Sequence, residues 1–166
     1  ESIEESVKKR LSKYIGLNSF YMEQLYTFGA LNRDPGGRIV SVSYLMLMPH
    51  TMVKAPGEAV WLTVKRLPVL AYDHNQIVKL ALQKLRDNLG YTNILFALMR
   101  DSFTLRELQE NYETVLGRLL DKRNFQKKIF SAKLVRYSGK KKKGEPHRPA
   151  KLYRFSSRKF ERIEVL

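Results

Sequence analysis

The sequence predicts an α+β chain in two parts: a mixed helix-and-strand unit over residues 1–88 and, after a connection over 89–103, a helical unit closing on a β-hairpin over 104–166. Three observations predict it. Two capping-box pairs, Ser2 with Glu5 and Thr104 with Glu107, each open a run with apolar residues at helical spacing. Apolar residues alternate at period two from Phe20 to Phe28, and short strand-like runs recur near the C-terminal end. The charge is also uneven, with 18 Lys/Arg against 8 Asp/Glu in 101–166 but 13 against 8 in 1–100, so a polyanion partner is to be sought in the second part.

In the first part, Ile3, Val7 and Leu11 line one face of a helix that Gly16 is placed to end. Phe20, Met22, Tyr26 and Phe28 alternate with more polar residues and predict a half-buried strand. The turn residues Asp34-Pro35-Gly36-Gly37 follow, then a buried strand over Ile39–Met48 and a third strand over Val60–Val64. Asp73 with Gln76 caps a helix whose Ile77, Ala81 and Leu85 face one way before Gly90 stops it. Residues 89–103, with the apolar run Ile94–Met99, read as a connection.

In the second part, Leu105, Leu108, Tyr112 and Val115 supply the stripe of a scaffold helix ending at Gly117, and Asp121 caps the next helix after a short turn. At about 100° per residue, setting Phe125, Ile129 and Ala132 inward places Arg123, Asn124, Gln126 and Lys127 on the outer half. Arg pairs bidentately with guanine and Asn or Gln with adenine, while Lys122 and Lys128 on the flanks suit phosphates. Leu134–Tyr137 and Lys151–Phe155 are strand-like, making the segment between them a wing that carries Lys140, Lys141, Lys142, Lys143, His147 and Arg148. Thr104 and Arg106 on the scaffold helix and Lys151 on the last strand complete the expected DNA-contacting set. A basic second helix followed by a hairpin is the winged variant of the helix-turn-helix. A solvated basic face is the plain alternative, but these charges lie on an element with its own apolar spine.

With 43% apolar and 11% aromatic residues, disorder throughout is excluded. The absence of cysteine excludes a disulfide framework and a thiolate metal site. No apolar run approaches the length needed to span a bilayer, so a soluble cytoplasmic protein with no membrane partner is expected.

Tyr21–Gly29, Arg33-Asp34-Pro35, Arg38–Tyr44, Leu67-Pro68, Asp73-His74, Tyr91-Thr92-Asn93, Phe103–Gln109, Leu120–Phe125 and Arg148–Tyr153 follow one another in an order that carries a family resemblance. Through them the chain resembles the Nudix-related transcriptional regulators, in which a Nudix-like sensor domain precedes a winged helix-turn-helix. A catalytic Nudix box has the form Gx5Ex7REUxEExGU, with U a bulky apolar residue, and its clustered Glu residues hold magnesium. Aligned on Gly16 and Leu17, this chain supplies Glu1, Lys9, Arg10, Leu11, Lys13 and Tyr14 at the corresponding positions. Arg10, Lys13 and Tyr14 thus stand where three carboxylates belong, and hard divalent cations need oxygen ligands. Glu1, Glu4 and Glu5 are the carboxylates that could substitute; they lie one to two turns away and read instead as partners of the helix dipole. The family's domain begins several strands upstream of the box whereas this sequence starts inside it, so the first unit is expected to be N-terminally incomplete.

The resemblance implies a ligand-responsive DNA-binding regulator, a homodimer on double-stranded DNA, whose effector is an ADP-ribose-like or nicotinamide-type nucleotide or a sugar that is bound without hydrolysis. No cofactor and no metal is expected. Arg33, Arg38 and His74 are the expected effector contacts. Arg33 has the alternative of pairing with Asp34, and His74 that of local hydrogen bonds at the Asp73 cap. A magnesium-dependent Nudix pyrophosphohydrolase with an appended nucleic-acid domain is the alternative function. An RNA-binding module would favour exposed aromatics, and those of 101–155 sit at core-like spacings.

Overall fold

The computed structural model describes residues 1–17, 20–53, 57, 59–142 and 149–165. They form two compact units, Glu1–Ala81 and Leu82–Leu166.

The first unit opens on α1 (Ile3–Ile15). Its capping box is made in both directions: Ser2 Oγ accepts the Glu5 N–H at 3.2 Å and Glu5 Oε2 accepts the Ser2 N–H at 2.7 Å. Gly16, at φ 71°, takes the left-handed conformation that stops the helix. β1 (Tyr21–Phe28) pairs antiparallel with β2 (Ser41–Leu47), with a bulge between Gln24 and Tyr26. In the intervening loop Asp34 Oδ1 accepts the Gly36 N–H at 2.7 Å, and Arg38 Nη1 donates to the Gly29 carbonyl at 2.6 Å.

Two expectations for this unit are corrected. β2 is half-buried, with Leu47 its one buried residue, and Val60–Val64 forms no strand. Val60, Trp61 and Leu62 are exposed, and a 3₁₀ turn follows at Val64–Arg66. Strand propensity is realised only where a neighbour pairs the backbone N–H and C=O groups. β1 and β2 pair with each other in a two-stranded sheet.

α2 (His74–Tyr91) passes through Gly90, where the sequence had predicted its end. The Gln76 and Ile77 N–H groups bond the Asp73 carbonyl at 2.9 and 3.2 Å, but the Asp73 carboxylate is taken by Arg33.

In the second unit, the end of α2 is followed by a 3₁₀ turn (Ile94–Ala97), α3 (Leu105–Leu116), α4 (Lys122–Ser131), β3 (Val135–Lys141) and β4 (Lys151–Phe155). The segment expected as a connection is core instead: Leu89, Ile94 and Leu95 are fully buried, as are Leu108, Tyr112 and Ile129 of the two following helices. Each such Leu or Ile contributes about 1.5–3 kcal/mol relative to an exposed position. Phe103 also lies in this layer, exchanging backbone hydrogen bonds with Tyr153 at 3.0 and 2.7 Å in an isolated antiparallel bridge to β4 of the hairpin.

Asn93, 1% exposed, holds the residues after β4. Its Nδ2 donates to the Lys159 carbonyl at 2.8 Å and its Oδ1 accepts the Glu161 N–H at 2.9 Å. The Ile163 and Val165 N–H groups then bond the Tyr91 and Gly90 carbonyls, which buries Val165.

Candidate nucleic-acid interface

The geometry of the two-helix motif is set at its turn. α3 begins at a second complete capping box, with the Thr104 N–H bonded to Glu107 Oε2 at 2.7 Å and the Glu107 N–H to Thr104 Oγ1 at 3.1 Å. It ends at Gly117, φ 73°, whose N–H bonds the Glu113 carbonyl. Glu113 Oε1 accepts from Gln109 Nε2 and from the Leu120 N–H, both at 2.9 Å, and Gln109 also donates to the Leu120 carbonyl. These bonds hold the Glu113 carboxyl below its usual range, the Leu120 N–H contributing most. Arg86 Nε donates to the Val115 carbonyl at 2.8 Å, satisfying one of the last carbonyls of α3.

Asp121 Oδ1 caps α4 by accepting the Asn124 N–H at 2.8 Å. Phe125 and Ile129 point inward, with the Phe125 ring edge-on to Tyr112 at 5.2 Å. Lys122, Arg123, Asn124, Lys127 and Lys128 are exposed, and Gln126 is half-buried. The inner and outer faces are therefore those read from the sequence. Phe130 projects outward and packs its ring 5.8 Å from Tyr153 of the hairpin.

A groove of about 560 Å³ runs between the start of α3, α4 and β4, lined by Thr104, Arg106, Gln109, Glu110, Glu113, Lys122, Gln126, Lys151 and Tyr153 among others. Two expected contacts are employed elsewhere. Thr104 is 8% exposed and its hydroxyl is committed to the cap, so it is a structural residue. Lys142 Nζ lies 3.3 Å from Glu107 Oε1, tying the wing to the start of α3. Burial raises the Glu107 carboxyl, but the Thr104 N–H and Lys142 outweigh it and leave the group below its usual range. Arg106 pairs with Glu110 at 2.8 Å, and Lys151 sits 5.8 Å above the Tyr137 ring. Lys140 and Lys141 are exposed on the wing, while Lys143, His147 and Arg148 lie outside the described residues.

Residues 95–155 match the model of the NrtR DNA-binding winged helix domain. The crystal structure of Shewanella oneidensis NrtR complexed with a 27mer DNA superposes with a TM-score of 0.83 at 30% identity, covering 94% of this chain and 74% of that one. The chain belongs to the NrtR family. Among curated NrtR relatives, the ADPR responsive transcriptional repressor NtrR of Acinetobacter baylyi is 31% identical over 159 residues, 92% of this chain. The chain spans 63% of that repressor's length. A MutT/nudix family protein from Enterococcus faecalis matches at 25% identity with a TM-score of 0.64, covering 95% of this chain and 71% of its own. The NrtR fold thus comprises a Nudix-like unit followed by a winged helix-turn-helix.

In the Nudix-like unit of this NrtR-family chain, Arg33, Arg38 and His74 do different things. The Arg33 side chain is 6% exposed, and its Nε and Nη2 donate to the two Asp73 carboxylate oxygens at 2.8 Å each while Nη1 donates to Ser41 Oγ at 2.5 Å. Its fork is occupied by Asp73 rather than by Asp34 of the turn, and it holds that carboxyl below its usual range. Arg38 is exposed with one hydrogen bond to Gly29, and exposed His74 stands edge-on to Tyr72 at 5.8 Å. On α1, Lys9, Arg10, Lys13 and Tyr14 are all exposed. Glu4 pairs with Lys8 at 2.8 Å, Glu1 lies 3.9 Å from Lys9, and Glu5 completes the capping box with Ser2.

Sequence reading missed Asn93 as a clamp, Gln109 and Glu113 as the lock of the turn, and Glu107 as the anchor of the wing. A Glu three residues after a capping Thr announced the cap, but not its second partner.

Proposed function

We propose that this chain acts as a ligand-responsive, DNA-binding transcriptional regulator, a homodimer that reads double-stranded DNA through its winged helix and senses a metabolite in its Nudix-like unit without hydrolysing it. The observation that carries the reading is the exposed basic face of α4, backed by Phe125 and Ile129 and flanked by the groove and the wing lysines. Arg123, Asn124 and Gln126 are the residues assigned to base edges; Arg106, Lys122, Lys127, Lys128, Lys140, Lys141 and Lys151 are assigned to phosphates. Similarity to a structure solved with DNA and to a repressor described as ADPR responsive supports both halves of this function.

Replacement of the clustered box carboxylates by Arg10, Lys13 and Tyr14 supports sensing over hydrolysis, since cations at ligand positions repel a divalent metal. The effector is proposed to be an ADP-ribose-like nucleotide or a sugar, with Arg38 and His74 as polar contacts to be tested. Arg33 is assigned to the fold through Asp73.

Fluorescence anisotropy with a labelled duplex, repeated with added ADP-ribose, tests the reading. Duplex binding that ADP-ribose shifts, together with a raised melting temperature and no magnesium-dependent turnover, is expected. Turnover of ADP-ribose at an enzymatic rate would make the chain a hydrolase instead.

A further inference from the structure

The hairpin has two faces, because successive strand residues point to opposite sides. Val135, Tyr137, Tyr153 and Phe155 occupy one, where Phe155 meets Phe103 at 5.1 Å and Tyr153 meets Phe130. The other carries Arg136 and Arg154, exposed and paired Cα to Cα across the two strands. Directly opposed residues stand about 5 Å apart at Cβ, and like charges so placed destabilise a sheet. Among the described residues no carboxylate is paired with either one. They border a hollow of about 440 Å³ with Ser138, Lys140, Ser156 and Arg158. Asp101, the acid of that hollow, is held by Arg158 at 2.8 Å, and Arg158 also donates to the Phe96 and Met99 carbonyls. Three cations, Arg136, Arg154 and Lys140, are left facing a concave surface, the Ser138 and Ser156 hydroxyls being committed to the Leu152 and Lys133 carbonyls.

We propose that this hollow is a second phosphate contact, which receives the backbone of duplex DNA beside the stretch held by α4. The proposal rests on the DNA-binding reading and extends it to a surface outside the groove. Planar guanidinium forks match phosphate oxygens bidentately, and an uncompensated cross-strand pair becomes favourable once an anion lies between its members. A linear polyanion fits better than a free nucleotide. The cations run along the hairpin from Arg154 and Arg136 to Lys140, while Phe155, the aromatic residue lining the hollow, is 3% exposed and offers no face for a base to stack on.

The test compares the parent with Arg136→Gln/Arg154→Gln and with Lys8→Gln/Lys9→Gln, which removes the same charge from α1. Binding to a random-sequence duplex several turns long is measured over a range of salt. The arginine variant is expected to bind more weakly, with a plot of log affinity against log salt shallower by about two, while the α1 variant keeps the parent slope. The arginine variant is also expected to melt at or above the parent's temperature, because opposed charges are relieved. If it melts lower, the single Arg154→Gln variant carries the test, with an expected slope change of about one. An unchanged slope, or one matching the α1 variant, overturns the proposal. So does a melting-temperature rise with inorganic pyrophosphate that the arginine variant loses while its duplex slope stays that of the parent. A parent that binds no duplex removes the DNA-binding reading as well; a parent weakened by Arg123→Ala but not by the arginine pair removes the hollow alone.

Discussion

Arg33 and Asp73, forty residues apart in sequence, meet as a bidentate pair with both N–H···O distances at 2.8 Å. Two hydrogen bonds from the guanidinium are the largest influence lowering the Asp73 carboxyl, ahead of the opposing effect of burial. A carboxyl depressed on folding adds stability that is full above its unfolded pKa, about 3.9, and is lost as pH falls through the lower folded value. The expected outcome is a steeper fall in melting temperature below about pH 4 for the parent than for Asp73→Asn. Melting curves across the acid range check it, and parallel curves would deny the pair its role.

The start of α3 depends on one hydroxyl. Thr104→Ala is expected to destabilise the winged-helix unit by about 1 kcal/mol, within the usual 0.5–2 range for caps, and Thr104→Ser to lose little. Urea unfolding followed by circular dichroism measures both. A null effect in Ala would mean that the Glu107 bond to the Thr104 N–H suffices alone.

Tyr112 places its hydroxyl in the core without a hydrogen-bond partner among the described residues, and burial pushes its pKa up. An unsatisfied buried polar group costs about 1–3 kcal/mol, so Tyr112→Phe is expected to stabilise the fold by about 1 kcal/mol while keeping the ring contact with Phe125. A lower melting temperature in the Phe variant would reveal a partner for the hydroxyl.

On DNA, Arg123→Ala is expected to cost about 1–3 kcal/mol and to relax base preference at one position of the bound site. Neutralising Lys140 and Lys141 is expected to weaken binding to any duplex and to flatten its salt dependence. Selection of bound sequences from a random pool, scored for each variant, separates the two effects. Equal loss on all sequences for the Arg123 variant would assign it to phosphates.

What the sequence disclosed follows the range of the forces involved. Caps act within four residues, so the starts of α1, α3 and α4 are legible from Ser2, Thr104 and Asp121, and the ends of α1 and α3 from Gly16 and Gly117. The inward placement of Phe125 and Ile129 followed from helical period alone. The failures arose where the outcome depends on distant chain. Val60–Val64 has strand-forming residues but no paired neighbour, and Ile94–Met99 is short enough to pass for a connection until other elements close over it. Glu107 and Lys142 are 35 residues apart, and the opposition of Arg136 to Arg154 depends on hairpin register. None of these has a local signature.

The Asn93 clamp has a chemical corollary. One side chain both gives a proton to the Lys159 carbonyl and takes one from the Glu161 amide, a division of labour that its isosteric acid cannot reproduce. Deamidation at this single position would set a carboxylate oxygen against a carbonyl oxygen inside the protein. The segment around Glu161 would then lose the anchor that ties it to the core, while the caps of α3 and α4 kept their bonds.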